Sequence, residues 1–322
     1  MSLLRRASVS AKTQAQYSLY LAALRRYCDS RGVVPPNTEE EWDSATSGLM
    51  EIMFMEGGSL SAGEKLLASV QWAEPRLGRL GGGRMPICRQ CLRGWRRAAP
   101  TGGRLPLPYD VVALLACWMI CQGLRPHALA ILMMMELYLR PGEPFLLRGR
   151  DVVAGAYSGA REWIPTSVLL HPFEMRTPSK NQEFDQTIVL DLDRQAALAD
   201  ALVQLGLERG DGPLLDLTPS ALRRALDEAA AAWRLGPLGP LDAYRFRHTG
   251  ASVDFATGAR RLEEIQRRGR WRSARSLRRY ERGGRLTDLL RRLPPDVQRA
   301  AAAAAQELPD VLRGRRMPTM GR

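Results

Sequence analysis

The sequence predicts a mainly α-helical fold with a small antiparallel sheet, an α+β chain built in two parts. Three observations carry that prediction. Apolar residues recur at helical spacing along most of the 322 residues. Strand-type runs cluster only in the middle of the second part. A stretch rich in Pro and Gly, residues 98–108, separates the two. With 45% hydrophobic and 25% charged residues the chain has the apolar share of a folded protein, which excludes wholesale disorder.

The elements follow in order. Ser10 or Thr13 caps a helix with Tyr17, Leu21, Leu24 and Tyr27 on its apolar face, ending before Gly32. Pro35 and Pro36 mark a loop, and Thr38 with Glu41 forms a capping box for a second helix. A third follows Ser61, with Glu64 at the box position, and runs to about Trp72; a fourth covers 88–97. Beyond the linker come two strongly apolar helices, 110–122 and 126–139, then strand-type runs at 152–153, 163–170 and 187–190. The chain must reverse near 178–182, which puts Lys180 at or near a hairpin tip. Thr218 before Pro219 opens another helix, Asp242 opens one that closes at Gly258, and a short one covers 262–268. A helix from about Ser273 carries Tyr280. The alanine run 300–305 reads as helix propensity, ahead of a basic tail. The stripe Leu286, Leu289, Leu290 and Leu293 fits packing on its own subunit or on a neighbour. The division is then 1–100 helical, 101–108 linker, 109–285 α+β, and 286–322 C-terminal helix and tail.

Composition narrows the partners. Lys+Arg number 47 against 34 Asp+Glu, a net charge of +13, and only Lys12, Lys65 and Lys180 are lysines. Codon bias alone would spread arginine evenly. Residues 244–282 instead hold twelve arginines and four acids, most of the excess in one segment. Guanidinium forks match phosphate oxygens, so nucleic acid is the expected partner. The longest apolar run is far below the roughly 20 residues of a membrane span. The start of the chain shows no signal-peptide pattern, so a soluble intracellular protein is expected, without membrane association. Cys88 and Cys91 have half of a zinc-site spacing and no second pair nearby, so no metal is expected. Cys117 and Cys121 read as core, and Cys28 completes a set of five that suggests no disulfide framework.

Four local patterns lie in order down the second part. Arg140 leaves an apolar helix with Glu143 three residues on. Lys180 is the only lysine in that part. Tyr244-Arg-Phe-Arg247-His248-Thr follows, and then Gly269-Arg-Trp271 with Tyr280 nine residues later. Singly, each has a plain reading: a surface ion pair, a solvated turn lysine, partly buried aromatics. His127, His171 and His248 read as structural. Together they suit attack on a phosphodiester, which needs a nucleophile, cations on the non-bridging oxygens and a proton for the leaving alkoxide. A tyrosine near pKa about 10 can serve as nucleophile in an electropositive pocket.

In order, residue type and spacing these patterns resemble the tyrosine recombinase (integrase) family, most closely its versions in eukaryotic mobile elements. The resemblance spans 105–282, and the first hundred residues look like the family's helical core-binding, SAM-like DNA-binding domain. It implies that Arg140 and Arg247 clamp the scissile phosphate, that Glu143 holds Arg140, and that Lys180 is the general acid. Trp271 would pack at the phosphate, and Tyr280 would be the nucleophile forming a 3′-phosphotyrosine intermediate. Tyr244 stands where the family's His-x-x-Arg has histidine; a phenol donates a hydrogen bond there but carries no imidazolium charge. The implied activity is site-specific recombination or integration by a C-shaped clamp on double-stranded DNA. No cofactor is implied; a tetramer on two sites is, and a nuclear location in a eukaryote. A DNA-binding relative that no longer cuts, a tyrosine-type topoisomerase and a helical scaffold for an acidic protein are the alternatives.

Overall fold

The computed structural model describes residues 3–32, 34–78, 81–100, 105–157, 159, 162–175, 183–271 and 284–319. It divides into two compact units, Met1–Gly103 and Arg104–Arg322.

The first unit is helical: α1 (Leu3–Ala7), α2 (Ala11–Ser30), α3 (Glu39–Met55), α4 (Leu60–Ala73) and α5 (Pro86–Ala98). Ser10 caps α2, and the Thr38–Glu41 box closes in both directions at 3.2 Å. The cap of α4 is Ser59 rather than Ser61. Ser59 is the residue with extended backbone after the Gly57–Gly58 turn, and Ser61 already lies inside the helix. Leu24, Met50, Leu66, Val70, Leu77 and Trp95 form the core. α5 has no cap of its own, because Met85 precedes it with φ +39°. The buried carboxylate of Asp43 on α3 does that work, accepting from the Ile87 and Cys88 amides at 2.8 Å each. With Cys88, Leu92 and Trp95 facing inward, α5 turns Arg89, Arg93, Arg96 and Arg97 to solvent.

The second unit wraps helices around one core and a three-stranded sheet. α6 (Tyr109–Cys121) and α7 (Arg125–Glu136) lead into β1 (Val152–Val153), β2 (Ala156–Tyr157), β3 (Trp163–Ile164), β4 (Ser167–Leu170) and β5 (Gln186–Val189). The expected single run 163–170 is split by Pro165, which lacks the amide a continuous ladder would need. β2 and β3 pair as a separate ribbon. The main sheet has the order β1-β4-β5, all antiparallel, with Val152 opposite Val168 and Leu170 opposite Gln186.

Helices α8 (Ala196–Arg209), α9 (Pro219–Ala232), α10 (Ala243–Ala256), α11 (Leu262–Arg268), α12 (Gly284–Arg291) and α13 (Pro295–Leu312) complete the unit. α8 has no counterpart in the sequence-based expectation. Its start carries none of the usual capping residues: Gln195 stands at the N-cap without a side-chain bond into the helix, and its side chain accepts from the preceding Asp191 and Leu192 amides at 3.1 and 3.2 Å. α13 packs along α6 and against α8. Leu289, Leu293, Val297, Leu308 and Val311 join the unit's own core, with Leu290 packed against it; Leu286 of the leucine stripe is not part of that cluster. α10 crosses α7 so closely that a Cβ on Gly250 would run into the Met135 carbonyl. Among the described residues no helix is long and apolar enough to cross a membrane.

Candidate active site

The site is built where α7 ends and α10 and α11 meet it. α7 stops at Glu136, three residues earlier than its apolar pattern, because Tyr138 adopts φ +49° and turns the chain out of the helix. Its hydroxyl donates to the buried Asp254 carboxylate, and its carbonyl accepts from Arg270 Nη2 at 3.3 Å. Arg140, just past the turn, donates from its amide to Glu143 Oε2 at 2.6 Å and from Nη1 to Oε1 at 3.0 Å. The Glu143 side chain is 5% exposed, so this is no surface pair.

A second arginine holds the same carboxylate. Arg270 Nη1 and Nη2 reach Glu143 Oε1 and Oε2 at 2.8 and 2.7 Å, the bidentate geometry that guanidinium favours. His171 Nε2 lies 3.8 Å from Oε1. Burial pushes the Glu143 carboxyl up, but Arg270 and then Arg140 outweigh it and hold it below the usual carboxylate range.

Arg247 enters from α10 and is only 3% exposed. Nη2 donates to the Gly269 carbonyl, and the guanidinium lies 4.8 Å from the centre of the Trp271 ring. Its Nη1 is buried with no hydrogen-bond partner among the described residues. Burial, then the charges of Arg270 and Arg140, pull its pKa down to about 10, with Glu143 offsetting part of this. The indole of Trp271 lies against the Cα of Gly269, where any side chain would collide with it. His248 stacks between Trp271 and Tyr244, at 6.4 Å and 6.3 Å between ring centres.

Next to this cluster runs a second buried network. Arg194 spans Glu136 at 3.0 Å and Asp254, Arg260 spans Asp254 at 3.1 Å and Asp191, and Gln195 donates to Glu136 at 2.8 Å. Arg268 donates to the Glu136 carbonyl at 2.8 Å and lies 3.9 Å from Asp191.

No protein-family model matches this sequence, and no curated protein matches it. Solved structures do match the fold. A structure of the Tn1549 transposon integrase in complex with transposon right end DNA superposes with a TM-score of 0.55 at 13% identity, covering 85% of this chain and 90% of that one. A structure of the same integrase with circular intermediate DNA gives 0.54 at 14% identity, with the same coverage. The chain has the tyrosine-recombinase fold.

Within that fold, five of the seven residues singled out from sequence fall in the described part. Arg140, Glu143, Arg247 and Trp271 converge on the Glu143 carboxylate and the Gly269 carbonyl; Tyr244 joins them through the His248 stack. Lys180 and Tyr280 lie outside the described residues. Sequence reasoning did not single out Arg270, Tyr138 and Asp254, and read His171 and His248 as structural. Arg270 has no local signal, since its partner is 127 residues away. Among the described residues no cluster of His, Cys, Asp and Glu could hold a metal ion. Burial first, and Asp43 next, push the Cys88 thiol far up and keep it protonated.

Proposed function

We propose that the chain breaks and rejoins duplex DNA by site-specific recombination or integration, through a 3′-phosphotyrosine ester. The observation that supports this best is the charge imbalance of the site. Two guanidinium groups share the Glu143 carboxylate, and a third, the more deeply buried Arg247, has an Nη1 with no hydrogen-bond partner among the described residues. A buried cation without a counter-ion is costly, and the two non-bridging oxygens of a phosphodiester are the groups such forks fit.

In this reading Arg140 and Arg247 clamp the phosphate while Trp271 shields it, and Tyr244 donates its hydroxyl in place of an imidazole. Tyr280, having lost its phenolic proton to solvent, attacks phosphorus as the P–O5′ bond breaks, and Lys180 gives its proton to the leaving 5′ oxygen. A 5′-hydroxyl from a partner strand reverses the step, so the bond energy is conserved and no nucleotide is hydrolysed. The first unit adds affinity through the solvent-facing arginines of α5, and binding weakens steeply with salt. Four copies would act on two DNA sites. The DNA in both matched integrase structures supports the same partner class.

The test is incubation with a random pool of nicked duplexes, from which the cleaved end cannot be religated. A covalent protein–DNA adduct that disappears in Tyr280→Phe is the expected result. Retarded DNA with no adduct selects the second reading, a DNA binder that has lost cleavage, which the phenol at Tyr244 favours. Absence of any salt-sensitive DNA binding overturns both.

A further inference from the structure

We propose that Arg270 is a positioning residue of this site, taking up the charge of Glu143 so that the Arg140 guanidinium stays available to a bound phosphate. This rests on the reading of the site given above.

The geometry carries the argument. Glu143 is buried, and both its oxygens accept from Arg270, at 2.8 and 2.7 Å. Arg140 reaches the carboxylate through its amide and one terminal nitrogen, Nη1. Arg270 is fixed independently of Arg140: its Nη2 holds the Tyr138 carbonyl and its Nη1 reaches Gln186 on β5 at 3.2 Å. Its backbone at φ +54° swings the side chain inward while the residues on either side clamp Arg247, Gly269 by its carbonyl and Trp271 by its ring. One three-residue segment therefore sets both clamp arginines.

Without Arg270 the lone Glu143 charge would be answered by Arg140 alone, at the depth where such pairs are strongest. Arg140 would turn its fork onto the carboxylate, and the site would lose one of its two surplus positive charges. Removing the carboxylate as well should then release Arg140. A purely structural Arg270 predicts that the double variant regains stability, since no unpaired charge is left buried, but regains neither the adduct rate nor the phosphate effect.

The experiment compares wild type, Arg270→Lys, Arg270→Met and the double variant Glu143→Gln/Arg270→Met. DNA is the duplex that wild type captures from the random pool. Arg270→Met should slow adduct formation about 100-fold, the cost of a clamp displaced by around 1 Å, with duplex affinity unchanged. Arg270→Lys should recover about tenfold of that, keeping the charge but losing the fork. The double variant should be faster than Arg270→Met. Adduct rates of Arg270→Met near wild type, or a double variant no faster than Arg270→Met, overturn the proposal. A readout independent of cutting is the rise in Tm with inorganic phosphate over potassium chloride at equal ionic strength. Wild type should show it, Arg270→Met should lose it and the double variant should regain part. If wild type forms no adduct with any duplex, the recombinase reading fails while this series still decides the role of Arg270: an unaltered phosphate effect in Arg270→Met refutes it. Arg270→Lys and the double variant serve if Arg270→Met does not fold.

Discussion

Two buried arginine clusters lie side by side in the second unit and differ in their charge balance. In the network around Asp254, three carboxylates (Glu136, Asp191, Asp254) face three guanidinium groups (Arg194, Arg260, Arg268). Around Glu143, among the described residues, one buried carboxylate is bonded by Arg140 and Arg270 and acts on Arg247, with Glu183 adding a weaker charge at Arg270. Burial opposes the charge in both places. At Arg194 and Arg260 the carboxylates outweigh it and the protons are held more firmly than usual. At Arg247 and Arg270 burial prevails and they are held less firmly. Arg268, bonded only to a carbonyl and 3.9 Å from Asp191, follows the second pattern. A balanced cluster stabilises the fold; an unbalanced one stores a demand for an anion.

The sharpest break in that contrast is a pair of substitutions with opposite signs. Arg247→Met should abolish adduct formation, at least about 1000-fold by the scale of lost transition-state electrostatics. Yet it should leave stability unchanged or raised by about 1 kcal/mol, since an apolar chain replaces an underpaired buried cation. Asp254→Asn should lower unfolding free energy by about 3–5 kcal/mol, because Arg194 and Arg260 are left without their shared partner. Urea unfolding of both variants measures the contrast directly; a destabilised Arg247→Met equal to Asp254→Asn would erase it.

A pH series sharpens it further. The folded carboxyl of Glu143 lies below its unfolded value, so its stabilising share is complete above about pH 4.3, the unfolded range. It is lost as pH falls through the lower folded value. Wild type should therefore lose Tm more steeply on acidification than Glu143→Gln. The smallest effect belongs to the first unit: Asp43→Ala removes the only side-chain cap of α5 and should cost about 1–2 kcal/mol in thermal unfolding.

Local chemistry was legible in the sequence and distant pairing was not. The Thr38–Glu41 box, the Thr218 cap with Pro219 and the Asp242 start of α10 depend on neighbours within three residues, and each stands where it was expected. α8 escaped because its N-cap position, Gln195, is outside the usual capping set and makes no side-chain bond into the helix. The arginine-rich segment 244–282 was read as an outward electrostatic footprint. Among its described arginines only some point outward. Arg245 is spent on the carbonyls of Leu105, Leu238 and Pro240, and Arg260 on Asp254 and Asp191, while Arg261 and Arg267 are exposed. A charge sum carries no information on depth, and the partners that bury these arginines lie far away in the chain. Of the residues gathered around Glu143, Arg140, Glu143, Arg247 and Trp271 stand in patterns that resemble the family's, but the 127-residue link from Arg270 to Glu143 leaves no trace in order or spacing.

The packing of α13 along α6 has a consequence for synthesis. The thiol of Cys117 meets the Ala304 carbonyl across 187 residues. At about 5–20 residues per second, a ribosome needs roughly 10–40 s to make that interval. Throughout that time the apolar flank of α6 has emerged without the helix that covers it, so the newborn chain is most prone to aggregate late in translation, and a chaperone that shelters helix 109–121 should raise its yield.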